Sequence, residues 1–212
     1  MIFNLAEISA KFNLNIKGAI HIGAFVGEEL KDYRSLGLHN TILFEPQEHL
    51  FQIVQNKCEQ EERVFNVALG SERGDKEMYI SHTEGGVQNG CGASSSLLRP
   101  KKHLSEHPHV KFVKKTAVEI DTLDSFVNNN NIDPTKYNFL NIDVQGFELE
   151  VLKGATGTLN HIDAMILEIN RDEVYEGCPM VTDLDEYLHP QFKRVVTLWQ
   201  SKSWGDGLYI RI

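Results

Sequence analysis

The sequence predicts an α/β domain built on an open, mostly parallel sheet. Two stretches carry that prediction, each a short apolar strand that ends in a glycine turn and opens a helix. The first is residues 18–46, GAIHIGAFVGEELKDYRSLGLHNTILFEP, and the second is residues 137–154, YNFLNIDVQGFELEVLKG. The third observation is bulk. A chain of 212 residues holds one α/β domain with a full core and would cramp two. Its 41% hydrophobic and 24% charged residues are an ordinary balance for a folded chain in water.

The elements follow in order. Leu5, Ile8 and Phe12 share one helical face, so residues 3–12 form a short amphipathic helix covering the sheet. The apolar run before Gly23 is the first strand. Leu30, Tyr33 and Leu36 recur at helical spacing, and Thr41–Phe44 is the second strand, with Glu45 at its end. Residues 47–57 are a helix that turns Leu50, Phe51 and Val54 to the sheet. Arg63–Leu69 reads as a third strand closed by Gly70, and Lys76–Ser81 as another. Residues 83–109 then hold four glycines and two prolines over a length unusual for a plain connection, which predicts a lid-like insertion. Val110–Ile120 is extended, and Asp121 caps a helix through Val127. Phe139–Ile142 is a buried strand and Phe147–Lys153 a helix with Gly154 past its end. Asp163–Ile169 is a further strand, Thr182 begins a helix over 182–189, and Phe192–Gln200 with Gly207–Ile212 form a terminal antiparallel pair. Nothing between these elements reads as a domain boundary, so residues 1–212 are taken as one domain.

The chemistry starts at the strand ends. In an open parallel sheet the Gly23 turn and Glu45 fall side by side at the carboxyl edge, where ligands bind. A carboxylate there suits the two hydroxyls of a ribose, which points to an adenosine-containing cofactor. The structural alternative is that the glycines serve only the turn. A dinucleotide fingerprint is absent, because Phe25 and Glu28 stand where its second and third glycines would fall. Glu28 and Glu29 would also set like charge against a diphosphate, whereas the sulfonium and amino groups of S-adenosyl-L-methionine are cationic. The turn therefore favours S-adenosyl-L-methionine over NAD.

Further candidates follow from position. Asn66 and the backbone of Ala68 lie where the adenine edge is read, with a turn-capping amide as the alternative for Asn66. Asp143 sits at a strand end across the crevice from the Gly23 turn, near the place of a methylsulfonium; capping the next helix is compatible with that. Ser94, Ser95 and Ser96 offer hydroxyls or form a polar turn. His103, His107 and His109 resemble metal-ligand spacing, but a proline separates the last two and no long helix aims them. A solvated loop, or one histidine facing substrate, is the better reading, and no metal is expected.

A formal net charge of −9 argues against nucleic acid and anionic membranes as partners. Cys58, Cys91 and Cys178 are isolated, which speaks against zinc and a disulfide framework and fits a reducing cytoplasm. No apolar run reaches a membrane span, and Asn4 and Glu7 interrupt the N-terminus where a signal peptide would be apolar.

Taken together, the motifs resemble the FkbM-type methyltransferases, S-adenosyl-L-methionine-dependent enzymes with a Rossmann-like class I fold. The resemblance covers roughly residues 18–170 and runs in family order: His21-Ile-Gly-Ala, Phe44-Glu-Pro, Asn66-Val-Ala-Leu-Gly, Ser94–Leu97, Thr122-Leu-Asp, and Ile142-Asp-Val-Gln-Gly-Phe-Glu followed by Val151-Leu-Lys-Gly. It implies a mostly parallel seven-stranded sheet with an antiparallel C-terminal strand. It also implies that His21, Gly23, Ala24, Phe25, Glu45, Pro46, Asn66, Ala68, Ser95, Ser96, Asp143 and Val144 meet the cofactor. Gly23 and Ala24 would face its methionine part, Glu45 the ribose and Asn66–Ala68 the adenine, with Asp143 toward the methyl group. The implied reaction is O-methylation of a small-molecule or glycosidic acceptor, with Asp143 or His103 taking the proton. The other readings are a cofactor-binding protein without catalysis and a nucleotide-linked oxidoreductase. Three positions depart from the family pattern: His21 stands where Asp is common, Asn141 where Lys is, and Gln145 where Glu is.

Overall fold

The computed structural model of the chain describes residues 3–83 and 92–212. In chain order the elements are α1 (Leu5–Phe12), β1 (Ala19–Ile22), α2 (Leu30–Ser35), β2 (Thr41–Phe44), α3 (Glu48–Lys57), β3 (Arg63–Phe65), β4 (Ala68–Leu69) and β5 (Gly74–Thr83). They continue with α4 (His103–Glu106), β6 (Val110–Asp121), α5 (Leu123–Asn129), β7 (Phe139–Ile142), α6 (Glu148–Lys153), β8 (Ala164–Asn170), α7 (Val181–Leu188), β9 (Phe192–Trp199) and β10 (Trp204–Arg211).

Among the described residues, seven strands form the main sheet in the order β3-β2-β1-β7-β8-β10-β9. Neighbours pair in parallel except that β10 runs antiparallel to both β8 and β9. This is the class I methyltransferase arrangement that the sequence predicts. The short strands β1, β2 and β7 are buried at every position because helices cover both faces of the sheet. On one face Leu5 and Ile8 of α1 and Tyr33 of α2 pack on Phe139, Ile166 and Leu208. On the other, Val127 of α5, Leu152 of α6 and Leu188 of α7 pack on Ile20, Ile142 and Leu167. The first helix begins where the Asn4 side chain accepts the Ala6 and Glu7 N–H groups, and ends at Asn13 in the left-handed region (φ 54°).

Register sets what meets at the carboxyl edge. Ile22 lies beside both Phe44 and Ile142, and Ile142 beside Leu167. The next residue on each strand, Gly23, Glu45, Asp143 and Glu168, therefore arrives level with the others.

Four sequence expectations are corrected. Arg63–Leu69 is not one strand: β3 ends at Phe65 in the main sheet, and Ala68–Leu69 pairs instead with Ile120–Asp121. The break occurs at Asn66, whose amide turns aside to the Glu45 and Pro46 carbonyls (3.0 Å each). The two strands read at 76–81 and 110–120 belong with β4 to a separate three-stranded sheet, where Met78, Ile80, Val118 and Ile120 pack against Phe147. The helix after β6 is capped by Thr122, whose Oγ1 accepts the Ser125 N–H at 3.1 Å, while Asp121 stays in the strand. The helix expected at 182–189 starts at Val181, with the Asp183 carboxylate accepting the Met180 N–H at 2.7 Å, and the last strand starts at Trp204. Of the lid-like stretch 83–109, residues 84–91 lie outside the described residues. Within residues 92–109, Ser96 bridges to Tyr79, Pro100 bridges to Tyr175, and His103 of α4 stands against the Tyr175 ring.

Asn138 holds the opposite edge of the sheet. Its buried amide accepts the Lys17 N–H (2.8 Å) and donates to the Asn15 carbonyl (2.9 Å) and to Asp163 (2.8 Å), so one side chain fixes the approaches to β1, β7 and β8. Asn138→Ala leaves these groups short of partners, and stability should fall by about 2–3 kcal/mol. Urea unfolding measures it, and an unchanged midpoint would contradict the assignment.

Candidate active site

The site is built on two turns. After β1 the chain makes a tight left-handed bend at Gly23 (φ +87°), Phe25 (φ 49°) and Gly27 (φ +70°) before α2. Gly23 cannot be replaced without moving backbone, since a Cβ there would stand 1.8 Å from the Asp143 carbonyl oxygen. The Gly23 and Ala24 N–H groups both donate to the Phe44 carbonyl (3.0 Å), which fastens the bend to β2. Glu45, 3% exposed, closes the arrangement: one carboxylate oxygen accepts the Phe25 N–H at 2.9 Å and the other the Gln47 N–H at 2.8 Å. Burial pushes this carboxyl up to about 7, and the two backbone donors hold it from rising further.

A cavity opens between these turns and the small sheet. Nine of the twelve residues expected to meet cofactor line it: His21, Gly23, Phe25, Glu45, Pro46, Ala68, Ser95, Asp143 and Val144. Apolar walls of Phe44, Val67, Leu69, Met78 and Leu97 flank the Glu45 side, and Glu28 and Glu29 line the Gly23 side. Ser95 is fixed from behind, since its Oγ accepts the Ser81 N–H at 3.0 Å and donates to Gln47 at 3.3 Å. His21 is 2% exposed, its Nδ1 has no protein partner, and burial lowers its pKa, so the ring lines the cavity as a neutral imidazole.

Three of the expected residues lie elsewhere. Ala24 is in the core beneath the turn with Leu30, Leu43 and Val54. Asn66 anchors the Glu45–Pro46 backbone and faces a separate groove beside His49 and Lys114. Ser96 is fully buried and donates from Oγ to the Gln145 carbonyl at 2.7 Å, so it braces the turn after β7. His103, expected as an alternative base, is not brought to the cavity. It is buried in α4 against Phe112, Tyr175 and His107, with ring centroids 5.4, 5.4 and 4.9 Å away. Burial, then the neighbouring His107, lowers its pKa to about 4, which makes it a poor base as well as a distant one.

The acid end is richer than the sequence suggested. The turn after β7 carries Gln145 (φ 55°) and Gly146 (φ +96°), and Glu148 pins it by accepting the Val144 (3.1 Å) and Gly146 (3.0 Å) N–H groups. Burial pushes the Glu148 carboxyl up to about 7. Gln145 donates to Asp143 at 2.8 Å and to Glu168 at 2.6 Å, and accepts the Tyr175 hydroxyl at 2.9 Å. Glu168 was legible as the acid ending the strand beside Asp143. Tyr175, Gln47, Met78 and Leu97 come from outside the glycine turns and gave no signal.

The cavity fits S-adenosyl-L-methionine, the cofactor of the resembling family. The buried Glu45 carboxylate suits ribose hydroxyls, apolar walls suit a purine, and the acids at the far end suit cationic sulfur and amino groups. No lysine or arginine is among the lining residues for a diphosphate.

Comparison with known proteins agrees. The 2-O-methyltransferase NoeI of Sinorhizobium fredii (strain NBRC 101917 / NGR234) is 31% identical over 134 residues, which cover 63% of this chain and 53% of that protein. The match thus spans about half of the relative's length. Among solved structures, magnesium protoporphyrin IX methyltransferase ChlM from Synechocystis PCC 6803, with bound SAM, is similar with a TM-score of 0.52 at 10% identity, over 98% of this chain and 76% of that one. The N-methyltransferase NodS from Bradyrhizobium japonicum WM9 is similar with a TM-score of 0.52 at 7% identity, over 98% and 92%. These two likenesses speak for the fold. The FkbM methyltransferase domain matches residues 21–195, from the first strand of the glycine turn to the penultimate strand, and the chain belongs to that family.

Proposed function

We propose that this chain transfers the methyl group of S-adenosyl-L-methionine to a hydroxyl of a sugar or a small secondary metabolite. The observation that carries the reading is Asp143, a carboxylate at the end of β7 that lines the cavity beside the Gly23 turn. The likeness to a 2-O-methyltransferase supports a hydroxyl as the acceptor. When bound, the cofactor supplies a methyl group already activated by positive sulfur. The chain then has to align the acceptor oxygen with that methyl and to receive the proton the alcohol loses. Asp143 is placed for the second task. Phe25, Glu45 and the Gly23 turn serve the first by fixing the cofactor. No described helix is long and apolar enough to cross a membrane.

Asp143→Asn keeps the shape and removes the proton acceptor, so turnover on a panel of sugar and phenolic hydroxyls should drop by more than about tenfold. Unchanged turnover in that variant rejects Asp143 as the base. Binding of the cofactor with no methylation by the unmodified protein on any acceptor would favour the reading without catalysis.

Glu45 generates a pH prediction. Its ionised form accepts from ribose hydroxyls, and its carboxyl titrates near 7 in the free protein, so affinity for S-adenosylhomocysteine should weaken as pH falls through about 7. The slope approaches tenfold per pH unit, since each unit below the pKa leaves about a tenth of the ionised form. Glu45→Ala should weaken binding by about ten- to a hundredfold at neutral pH, the scale of a lost charge-assisted pair of hydrogen bonds. Calorimetry reads both, and an Ala variant that binds as well as the parent refutes the ribose assignment.

A further inference from the structure

Asp143 does not stand alone at its end of the cavity. Glu168 of β8 lies level with it, and the same row continues to Asp206 of β10, which is the register partner of Glu168. Both Glu168 and Asp206 are 4% exposed. Glu148 approaches from α6, Tyr175 from the segment after β8, and the His21 ring of β1 feels the Asp143 charge. Within this group the Gln145 carboxamide has a fixed sense. Its NH2 faces the Asp143 and Glu168 oxygens and its carbonyl the Tyr175 hydroxyl, because the reverse would put the amide oxygen against two carboxyl groups. The backbone supports that placement: the Ser96 hydroxyl holds the Gln145 carbonyl at 2.7 Å, and a Cβ at Gly146 would press within 2.9 Å of Cys178 and 3.3 Å of Tyr175.

We propose that Gln145 is a positioning residue for methyl transfer, whose amide holds the Asp143 and Glu168 carboxyl groups as one hydrogen-bonded pair beside the cofactor's methyl group. Burial, then the charges of Asp143, Glu148 and Asp206, raises the Glu168 pKa well above the carboxylate range, so Glu168 carries a proton and hydrogen-bonds Asp143. The two N–H bonds from Gln145 favour loss of that proton as pH rises, because they stabilise the charged form. Through Tyr175, whose hydroxyl also lies 3.0 Å from the Ser94 carbonyl, the same amide ties the pair to the segment carrying Ser95 on the cavity wall.

The charge of the pair can be read without knowing the acceptor. S-adenosylmethionine and S-adenosylhomocysteine share ribose, adenine and amino acid, and differ at the sulfur, which is cationic only in the first. The ratio of their affinities therefore cancels the hydrogen bonds both ligands make to Glu45 and reports the charge facing the sulfur, to which Glu45 and Glu148 add a background common to the parent and its variants. By calorimetry from about pH 5.5 to 9, the ratio in the unmodified protein should rise in favour of S-adenosylmethionine as Glu168 loses its proton. Gln145→Glu replaces donors with a third carboxyl, and Gln145→Asn keeps a residue suited to the left-handed backbone while shortening the reach of the amide. In both, the rise should move up by about one pH unit or more, with S-adenosylhomocysteine affinity at high pH kept within about threefold, well under 1.4 kcal/mol. Tyr175→Phe frees the amide carbonyl and should move the rise in the same direction by less, which keeps the test open if a Gln145 variant does not fold. A ratio flat with pH in the unmodified protein, a rise that stays in place in the variants, or a loss of S-adenosylhomocysteine affinity beyond about tenfold in both Gln145 variants overturns the proposal. The inference rests on the cofactor reading, and that reading fails separately if the unmodified protein binds neither compound.

Discussion

The contact on which the site depends is between two pieces of backbone. Beyond the last paired residues of β1 and β7, the chains stay together: the Asp143 N–H donates to the Ile22 carbonyl at 2.9 Å, and Gly23 presses so close that a Cβ would stand 1.8 Å from the Asp143 carbonyl. Only a residue without a side chain permits this, and the positive φ at Gly23 is what sends the chain away from β7 afterwards. The Gly23 turn and the Asp143 carboxylate, both lining the cavity, are thereby brought together by covalent neighbours of the same contact. Glu45 extends the arrangement to β2 by accepting the Phe25 N–H. Three cavity-lining groups on three strands are thus held by the ends of the sheet.

Charge decides what can bind there. Glu28, Glu29, Glu45 and Asp143 line one cavity, and Glu168 stands behind Gln145. At an effective dielectric of about 20, two like charges 6 Å apart repel by roughly 3 kcal/mol. A bound diphosphate would add such terms against several carboxylates, and a sulfonium would subtract them. Burial raises the carboxyls of Glu45, Glu148 and Glu168, and at Glu148 and Glu168 the Asp143 charge adds to it. A cationic cofactor relieves that repulsion.

What the sequence showed and what it hid follow one division. The strands of the main sheet were legible because apolar runs ending at Gly23, Phe44 and Ile142 are short, buried throughout and followed by turn residues. The acids at their ends were legible for the same reason, since register in a parallel sheet brings strand ends level. The small sheet was not. Its strands β5 and β6 are 10 and 12 residues long and half exposed, and nothing local says that Leu69 pairs with Asp121, some fifty positions later, and not with the main sheet. Asn66 misled because an amide near a strand end suits both an adenine edge and a backbone brace, and local sequence does not separate them. His103 misled because a histidine in a polar stretch reads as exposed, whereas Phe112 and Tyr175, distant in sequence, bury it.

Two of the departures from the family pattern explain each other. His21 and Asn141 are direct partners across β1 and β7, and both meet Tyr33: Asn141 donates to its hydroxyl at 3.2 Å, and the His21 ring stands edge-on at 6.0 Å. Where the family commonly carries Asp and Lys, the same two positions would place a buried carboxylate beside a buried ammonium. Such a pair is strongly destabilised when one member is lost and the other remains unpaired. Here both members are replaced, His21 is held neutral by burial, and no uncompensated charge remains between the strands. The layer formed by His21, Asn141 and Tyr33 is therefore a neutral one. Its His21 lines the cavity, and Gly23, Glu45 and Asp143 stand at the sheet edge in register.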